Sequence, residues 1–449
     1  MLGAGVRAPF VLRGLVQQQD QLGLDQVVLH DRDPARLATM TALARHLCRT
    51  WGASFEVRGD DDPSAALAGA RFVFAAIRPG QERARTFDEE LPLKHGVLGQ
   101  ETTGPGGFAM AMRTIPAMLE HARTIQEVAP DALLINFTNP VGIVTQALHD
   151  HSSVRTVGVC DGPVSMHRSI AALLGLRPDR VHVDYAGLNH CGWIHRVLVE
   201  GVDRLPELLD RYEELRALED HWRLFDTELV RTIGMLPMEY LYFFYYRERA
   251  VENILGSGGT RAAQIAAIND ALWAELHALA AAGDLDRAAA AWERAMETRA
   301  RTYFARERGE GLPTPSPEVT GEVEGEGYGG VATEVIRAAA RRLRVPLVLD
   351  VANRGAIGCL GDDDVVEVTT MLDEHGPHPL AQGRLPDEAE TLLRQVKGYE
   401  RLTVRAATTG SYDTALQALL AHPLVGSYPI ASSILDAYLS AHADHLVLT

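Results

Sequence analysis

Only four of the 449 residues are cysteine (Cys48, Cys160, Cys191 and Cys359). They are too few and too scattered to staple a chain of this length, which excludes a disulfide scaffold. Long apolar runs are also missing: none approaches the ~18 to 20 residues that cross a bilayer. Arg7 and Arg13 fall where a secretory signal needs an uninterrupted apolar core, so a cytoplasmic protein is expected. Positive charge is short as well, with 43 Lys and Arg against 60 Asp and Glu and a formal net charge of -17. Such a field repels phosphate backbones and anionic lipid, and neither nucleic acid nor a membrane is expected as a partner. What is there is ordinary: 46% hydrophobic and 23% charged residues describe a folded globular chain rather than a disordered or fibrous one. The length suits about two or three domains.

The first third alternates β-rich runs with helical stretches. Residues 26–30, 71–77, 132–137 and 154–160 are nearly continuous apolar runs, as in strands covered on both faces of a parallel sheet. Between them Ile115, Met118, Leu119, Ala122, Ile125 and Val128 keep helical spacing. This pattern predicts a Rossmann-type, doubly wound α/β region over residues 1–165, followed by a mixed α+β, largely helical region over 166–449. Within the second part, residues 260–301 read as an Ala-rich helical stretch broken at Gly283-Asp284. Residues 309–330, rich in Gly, Pro and Glu, read as an irregular loop, and 347–351 as a strand. The last ~60 residues are mostly helical by periodicity.

Near the start, Gly3, Gly5 and Ala8 fit G-x-G-x-x-(G/A), in which small residues let backbone N–H groups approach a pyrophosphate at a helix N-terminus. Asp31 ends the next strand and is placed to grip ribose hydroxyls, favouring NAD over NADP, while Asp33 caps the following helix. The pattern has a defect. The fingerprint should follow a strand, yet only Met1 and Leu2 precede it, so the first strand is expected to be missing or truncated.

Four segments put polar residues where strands end, the ligand side of an open α/β sheet. They are GQETTGPGGF (99–108), NFTNP (136–140), VCDGP (159–163) and GLNHCGW (187–193). Cys160 and His190 each fall at such a junction, and a thiolate with an imidazole can hold a divalent ion and leave positions open for substrate oxygens. The residues alone leave a second reading open, in which the histidine is a packed, satisfied side chain and the cysteine a small core hydrophobe.

The strings GQETTGPGGF, LINFTNPVGIVTQAL, GLNH, NRGAI, VKGYERLTVRAATTG and ALQALLAHPLV, in this order, resemble the NAD- and manganese-dependent glycoside hydrolases of family 4, especially their 6-phospho-β-glucosidases. The resemblance runs from Gly3 to the C-terminus. It implies a lactate/malate dehydrogenase-like fold, a homodimer or homotetramer, and a phosphorylated disaccharide or glycoside as substrate. It also implies hydrolysis by transient oxidation, an exception to the two-carboxylate scheme. In hydrolysis by transient oxidation NAD takes hydride from C3 of the sugar, a tyrosine takes the acidified C2 proton, the C1 group leaves, water adds, and hydride returns.

By the same resemblance Cys160 and His190 match the ligands of Mn2+ or another divalent ion, and Asn139 contacts sugar hydroxyls, with an Asx turn before Pro140 as the alternative. Tyr240, in PMEYLYFFYY, matches the base, with Tyr242 the other register. Arg261 matches the phosphate-binding arginine, its structural alternative being a helix-start arginine paired with Glu252 or Asp270. Gln100 and Glu101 fall in the loop that meets the sugar and nicotinamide, and Arg78 at a strand end touches NAD or sugar. Thr102, Gly104, Gly106 and Gly107 shape the backbone there.

Some residues depart from the family. Asp161 stands where many β-specific members carry Asn, and in α-specific members an aspartate there resembles a general acid, so an α-specific 6-phospho-glycosidase or another family 4 glycosidase is the first alternative. Gly358-Cys359 replaces a usual Pro-Asn, and Cys191 and Cys359 are expected only to pack. Two other classes stay open: an NAD-linked 2-hydroxyacid dehydrogenase, and a non-catalytic NAD- or sugar-phosphate-binding protein.

Overall fold

The apolar runs fold as strands with both faces covered. Leu29, Ile135 and Val157, one from each of three strands, have no exposed surface, as a parallel sheet between helical layers requires. A computed structural model describes residues 1–309, 328–446 and 448. In chain order its strands are β1 (Leu2–Gly3), β2 (Gln26–His30), β3 (Glu56–Gly59), β4 (Phe72–Ala75), β5 (Leu133–Asn136), β6 (Arg155–Gly158), β7 (His182–Leu188) and β8 (Cys191–Val199). They continue as β9 (Val202–Asp203), β10 (Leu236–Pro237), β11 (Val345–Ala352), β12 (Val365–Asp373) and β13 (Gly376–Pro379).

Among the described residues these strands form one sheet in the order β10-β8-β7-β12-β11-β6-β5-β4-β1-β2-β3, with β13 beside β12 and β9 beside β8. β1 to β6 pair in parallel in the order 3-2-1-4-5-6 of a doubly wound Rossmann sheet. Beyond β6 every pairing is antiparallel. The two halves meet at one residue pair, Asp350 opposite Gly158. The fold is thus a Rossmann-type parallel sheet followed by a mixed, largely helical C-terminal part. Among the described residues no helix is long and apolar enough to cross a membrane.

The first strand is present and two residues long. Leu2 pairs with Leu29 on one side and Phe74 on the other, and Gly3 pairs with His30. The Met1 ammonium donates to the Phe72 carbonyl at 2.9 Å, so two residues occupy the central place of the sheet. Other expected strands stop short: those over 71–77, 132–137 and 154–160 end at Ala75, Asn136 and Gly158. Single backbone bonds (Phe137 N–H to Ala75 O, Val159 N–H to Asn136 O) carry the chain one residue further, and Cys160 lies just beyond the sheet.

Helix signals held in detail. Asp33 caps Pro34–Thr50 by accepting from the N–H groups of Ala35 and Arg36 at 2.9 and 3.1 Å. The Ala-rich stretch forms Arg261–Ala281 and Leu285–Arg301, separated where Gly283 adopts φ +73. Asp387–Thr409, Tyr412–Ala421 and Tyr428–Ala441 make the C-terminal helices. Most of the loop expected at 309–330 lies outside the described residues. Residues 328–330, however, open the helix Tyr328–Arg341 rather than closing a loop. The reason is a close crossing: a Cβ on Gly329 would lie 2.3 Å from the Phe10 carbonyl oxygen, so only glycine lets this helix lie on Ala8–Gln17.

Candidate active site

The dinucleotide corner forms at the carboxyl ends of β1 and β2. Gly5 faces open space, with no atom within 4 Å of where its Cβ would stand. The Ala8 N–H turns back to the Gly5 carbonyl at 2.9 Å, and the helix Ala8–Gln17 starts with no side-chain cap and no acidic residue in its first turn. Its N–H groups and positive dipole end are therefore left for an anion. Asp31 follows β2 and accepts from the Asp33 N–H at 2.9 Å, which holds its carboxylate at the rim of this corner. Gly3, Gly5, Ala8 and Asp31 thus fit a pyrophosphate and a ribose.

The second corner gathers around Tyr240. His190 sits in the tight turn between β7 and β8, where Leu188 pairs with Cys191, and takes a left-handed φ of +63. Its ring stacks on the Tyr240 ring, with centroids 3.6 Å apart and planes within 3°. Thr102 Oγ1 lies 2.7 Å from His190 Nδ1, and no described residue bonds Nε2. This is the usual support of a histidine that gives its other nitrogen to a metal. Cys160, on the loop after β6, receives the Gly162 N–H on its sulfur and shares an electrostatic neighbourhood with Tyr240, Asp161, Glu239 and Glu367.

Burial decides the charge states here. It pulls His190 down to about 3 and pushes the Cys160 thiol and the Tyr240 phenol well above their ordinary values. A cation beside them would reverse the push on thiol and phenol. No group of three His, Cys, Asp or Glu that could hold a metal exists among the described residues. Cys160 and His190 are both neighbours of Tyr240, and an ion held by this pair would take its remaining ligands from substrate oxygens or water.

Glu101 is gripped by two guanidiniums, Arg78 Nη1 at 2.9 Å and Arg85 Nη1 at 3.1 Å. Burial opposes ionisation, but Arg85 and Arg78 outweigh it and hold the carboxyl at about 2. Arg78 is thereby fixed against Glu101 at the end of β4. Arg85 also pairs with Glu89 at 2.9 Å, and Glu89 accepts the Ala262 N–H at 2.8 Å, tying the helix Gln81–Leu93 to the start of Arg261–Ala281. Gln100 turns inward on its own loop: its Oε1 accepts from Thr102 N–H, Thr102 Oγ1 and Thr103 N–H. It shapes the loop that aims Thr102 at His190. Behind it, Cβ atoms on Gly106 and Gly107 would lie 2.2 and 2.1 Å from the carbonyl oxygens of Gln100 and Thr102, so both glycines are steric requirements.

Arg261 does not meet Glu252 or Asp270. Its Nη1 donates to Gln264 Oε1, Thr302 O and Thr302 Oγ1, and its Nη2 to Arg299 O at 2.6 Å, so it closes the C-terminal end of Leu285–Arg301. Burial and the nearby Arg85 lower it to about 10. Burial with Arg7 and Arg85 lowers Arg299 to about 9. Mutually opposed cations in one place suit an anionic group. Asn139 is half-buried and makes no side-chain hydrogen bond among the described residues. The Asx turn considered there belongs instead to Asn136, whose Oδ1 accepts the Thr138 N–H at 3.0 Å. Asp161 precedes Gly162–Leu173 without capping it.

In the alternative register, Tyr242 OH donates to the Glu307 carbonyl at 3.0 Å, whereas the ring stacked on His190 is that of Tyr240. Asn353 is structural, bonding Ile357, Leu360 and Gly361 backbone groups. Cys191 and Cys359 are buried. Five residues at the site carried no sequence signal strong enough to be singled out for it: Arg85, Arg299, Glu239, Tyr303, and Thr102 as a partner of His190.

Residues 1–176 match the family model of family 4 glycosyl hydrolases, and residues 185–425 match that of their C-terminal domain. The chain belongs to glycosyl hydrolase family 4. It is similar to the 6-phospho-beta-glucosidase of Escherichia coli strain K12, 30% identical over 458 residues that cover 99% of this chain and 94% of that one. The Thermotoga maritima 6-phospho-beta glucosidase, solved with manganese, NAD+ and glucose-6-phosphate, shares 26% identity over the whole of both chains at a TM-score of 0.82. A 6-phospho-alpha-glucosidase from gut microorganisms, solved with NAD and Mn2+, shares 25% identity, covering 100% of this chain and 99% of that one, at 0.83. In this family 4 chain the glycine-rich start follows β1, beside the point where the strand order reverses between β1 and β4, whereas the Cys160 loop follows β6 and the His190 turn joins β7 and β8 on the antiparallel side of the sheet.

Proposed function

We propose that this family 4 glycosyl hydrolase is a 6-phospho-β-glucosidase that cleaves phosphorylated disaccharides or glycosides in the cytoplasm as a homodimer or homotetramer. The observation that carries the reading is the parallel stack of Tyr240 on His190, with Cys160 and Glu101 acting on the same phenol. When bound at these corners, NAD supplies reversible hydride transfer at C3 and a divalent ion supplies a positive charge beside the C2 and C3 oxygens.

The chain's own residues do the rest. Gly3, Gly5 and Ala8 hold the dinucleotide phosphates and Asp31 its ribose. Cys160 and His190 hold the ion, and Thr102 fixes the ring of His190. Tyr240 takes the proton from C2 once C3 is a ketone, and returns one at the end. Asn139, Gln100 and Glu101 orient the sugar, with Arg78 fixing Glu101, and Arg261 faces its phosphate. Asp161 supports the ion from outside the ligand set or, in an α-specific enzyme, protonates the leaving oxygen. The α reading is the runner-up because of that aspartate and the similarity to an α-specific relative.

The test is hydrolysis of p-nitrophenyl 6-phospho-β-D-glucoside and its α anomer, with and without NAD, Mn2+ and a reducing agent, following nitrophenol and NADH together. β hydrolysis that needs all three additions and leaves no net NADH is expected. Net NADH with 2-hydroxyacids would favour a dehydrogenase, α cleavage would favour the runner-up, and no turnover at all would favour a binding protein.

A further inference from the structure

A line of polar groups leads away from Tyr240 through Tyr303 to Glu239. The Tyr303 and Tyr240 hydroxyls lie 3.1 Å apart, a pair in which either oxygen can donate to the other, and the Tyr303 hydroxyl lies 3.4 Å from Glu239 Oε1. Tyr303 follows the helix Leu285–Arg301, so the contact spans 63 residues of sequence and is not a consequence of local folding. Its ring packs edge-on against Phe304, with centroids 4.8 Å apart, and 42% of the residue is exposed, whereas Glu239 is 6% exposed. The Glu239 carboxylate lies beside Gly162, its Oε1 3.3 Å from where a Cβ on that glycine would stand. Gly162 opens the helix Gly162–Leu173, whose positive end favours a carboxylate. The His221 ring acts on the same carboxylate from another side, with its Nδ1 3.1 Å from Glu219 Oε2 and its Nε2 buried without a hydrogen-bond partner among the described residues.

Resting on the function proposed above, we propose that Tyr303 and Glu239 form a proton relay that empties and refills Tyr240 during the C2 step. As the C2–H bond breaks, its electron pair stays on the sugar beside the C3 ketone and the proton goes to the Tyr240 oxygen. Tyr240 passes its own phenolic proton to the Tyr303 oxygen, and Tyr303 passes its hydroxyl proton to Glu239 Oε1. Both tyrosines end neutral and Glu239 ends as a carboxylic acid, so atoms and charge balance with no outside co-reactant. The same path in reverse returns the proton to C2 after water has added. Tyr303 and Glu239 touch no substrate in this scheme; they are positioning residues that act through Tyr240.

The test uses the full-length chain with NAD, Mn2+ and p-nitrophenyl 6-phospho-β-D-glucoside, comparing wild type with Tyr303→Phe and Glu239→Gln. Each variant keeps the size of the side chain and loses its ability to relay. Both should lower kcat about a hundredfold, the lower end of what positioned proton transfer contributes, with KM within about twofold. The isotope effect from deuterium at C2 should grow and that from deuterium at C3 should shrink, because only the C2 step is slowed. A purely structural loss would lower kcat with the ratio of the two isotope effects unchanged. That outcome, or a wild-type kcat in either variant, overturns the relay while leaving the proposed function standing. A wild type inactive under all these conditions overturns the function and the relay together. If Glu239→Gln does not fold, Tyr303→Phe alone decides.

Discussion

The Thr102 hydroxyl lies 2.7 Å from Nδ1 of His190, and this bond leaves Nε2 as the ring nitrogen that can bind a metal. Thr102→Val keeps the shape and removes the bond. Loss of such support costs about 10- to 100-fold in metal affinity, whereas its cost to folding is about 1 kcal/mol. Titration of the variant with Mn2+, followed by metal-dependent activity and by isothermal calorimetry, should show weakened binding with NAD affinity unchanged.

Glu101 gives a pH dependence with a definite sign. Its carboxyl is held at about 2 against an ordinary 4.5 by Arg85 and Arg78, despite burial. A depressed carboxyl contributes stability that is complete above its unfolded value and is lost as pH falls through the folded one. The shift corresponds to about 3 kcal/mol. Urea unfolding of wild type and Glu101→Gln should therefore differ most at pH 6, where the variant removes from Arg78 and Arg85 the carboxylate they share, and converge as pH falls from about 4.5 toward 2.

Much of this was legible in the residues. The doubly wound region showed in apolar runs alternating with helical spacing, and Asp33 and Gly283-Asp284 marked helix ends by local chemistry that no tertiary contact overrides. The two-residue β1 was not legible as a strand, because its place is secured by neighbours on both sides, Leu29 and Phe74, and not by its own length. Cys160, His190 and Tyr240 stood out through long motifs. Arg85, Arg299, Glu239 and Tyr303 did not, since each becomes part of the site only through contacts across the fold, such as the 63 residues between Tyr240 and Tyr303.

Two glycines separate binding from folding. Gly5 borders open space, and a Cβ on Gly106 would meet the Gln100 carbonyl at 2.2 Å. Gly5→Val should leave the unfolding free energy within about 0.5 kcal/mol, as for an unobstructed surface position, yet weaken NAD binding about tenfold or more by filling the phosphate approach. Gly106→Ala should instead lower the thermal midpoint. Fluorescence titration with NADH and thermal melts of both variants check the pair.

Arg261 faces two demands at once, and its variants tell them apart. Its guanidinium closes the end of Leu285–Arg301 through the Thr302 and Arg299 carbonyls, and it lies among cations that an anionic group would relieve. Hydrogen bonds from a charged donor are worth about 1.5–3 kcal/mol, so Arg261→Met should lower stability by that order in the absence of any ligand. If the same group also faces the sugar phosphate, the preference for p-nitrophenyl 6-phospho-β-D-glucoside over its unphosphorylated form should fall about 10- to 100-fold. Arg261→Lys keeps a charge but loses the planar fork, and should recover part of the preference while recovering little of the stability. A melt lowered in both variants with the preference intact would assign Arg261 to the helix end alone and leave Arg299 as the guanidinium to test for the phosphate.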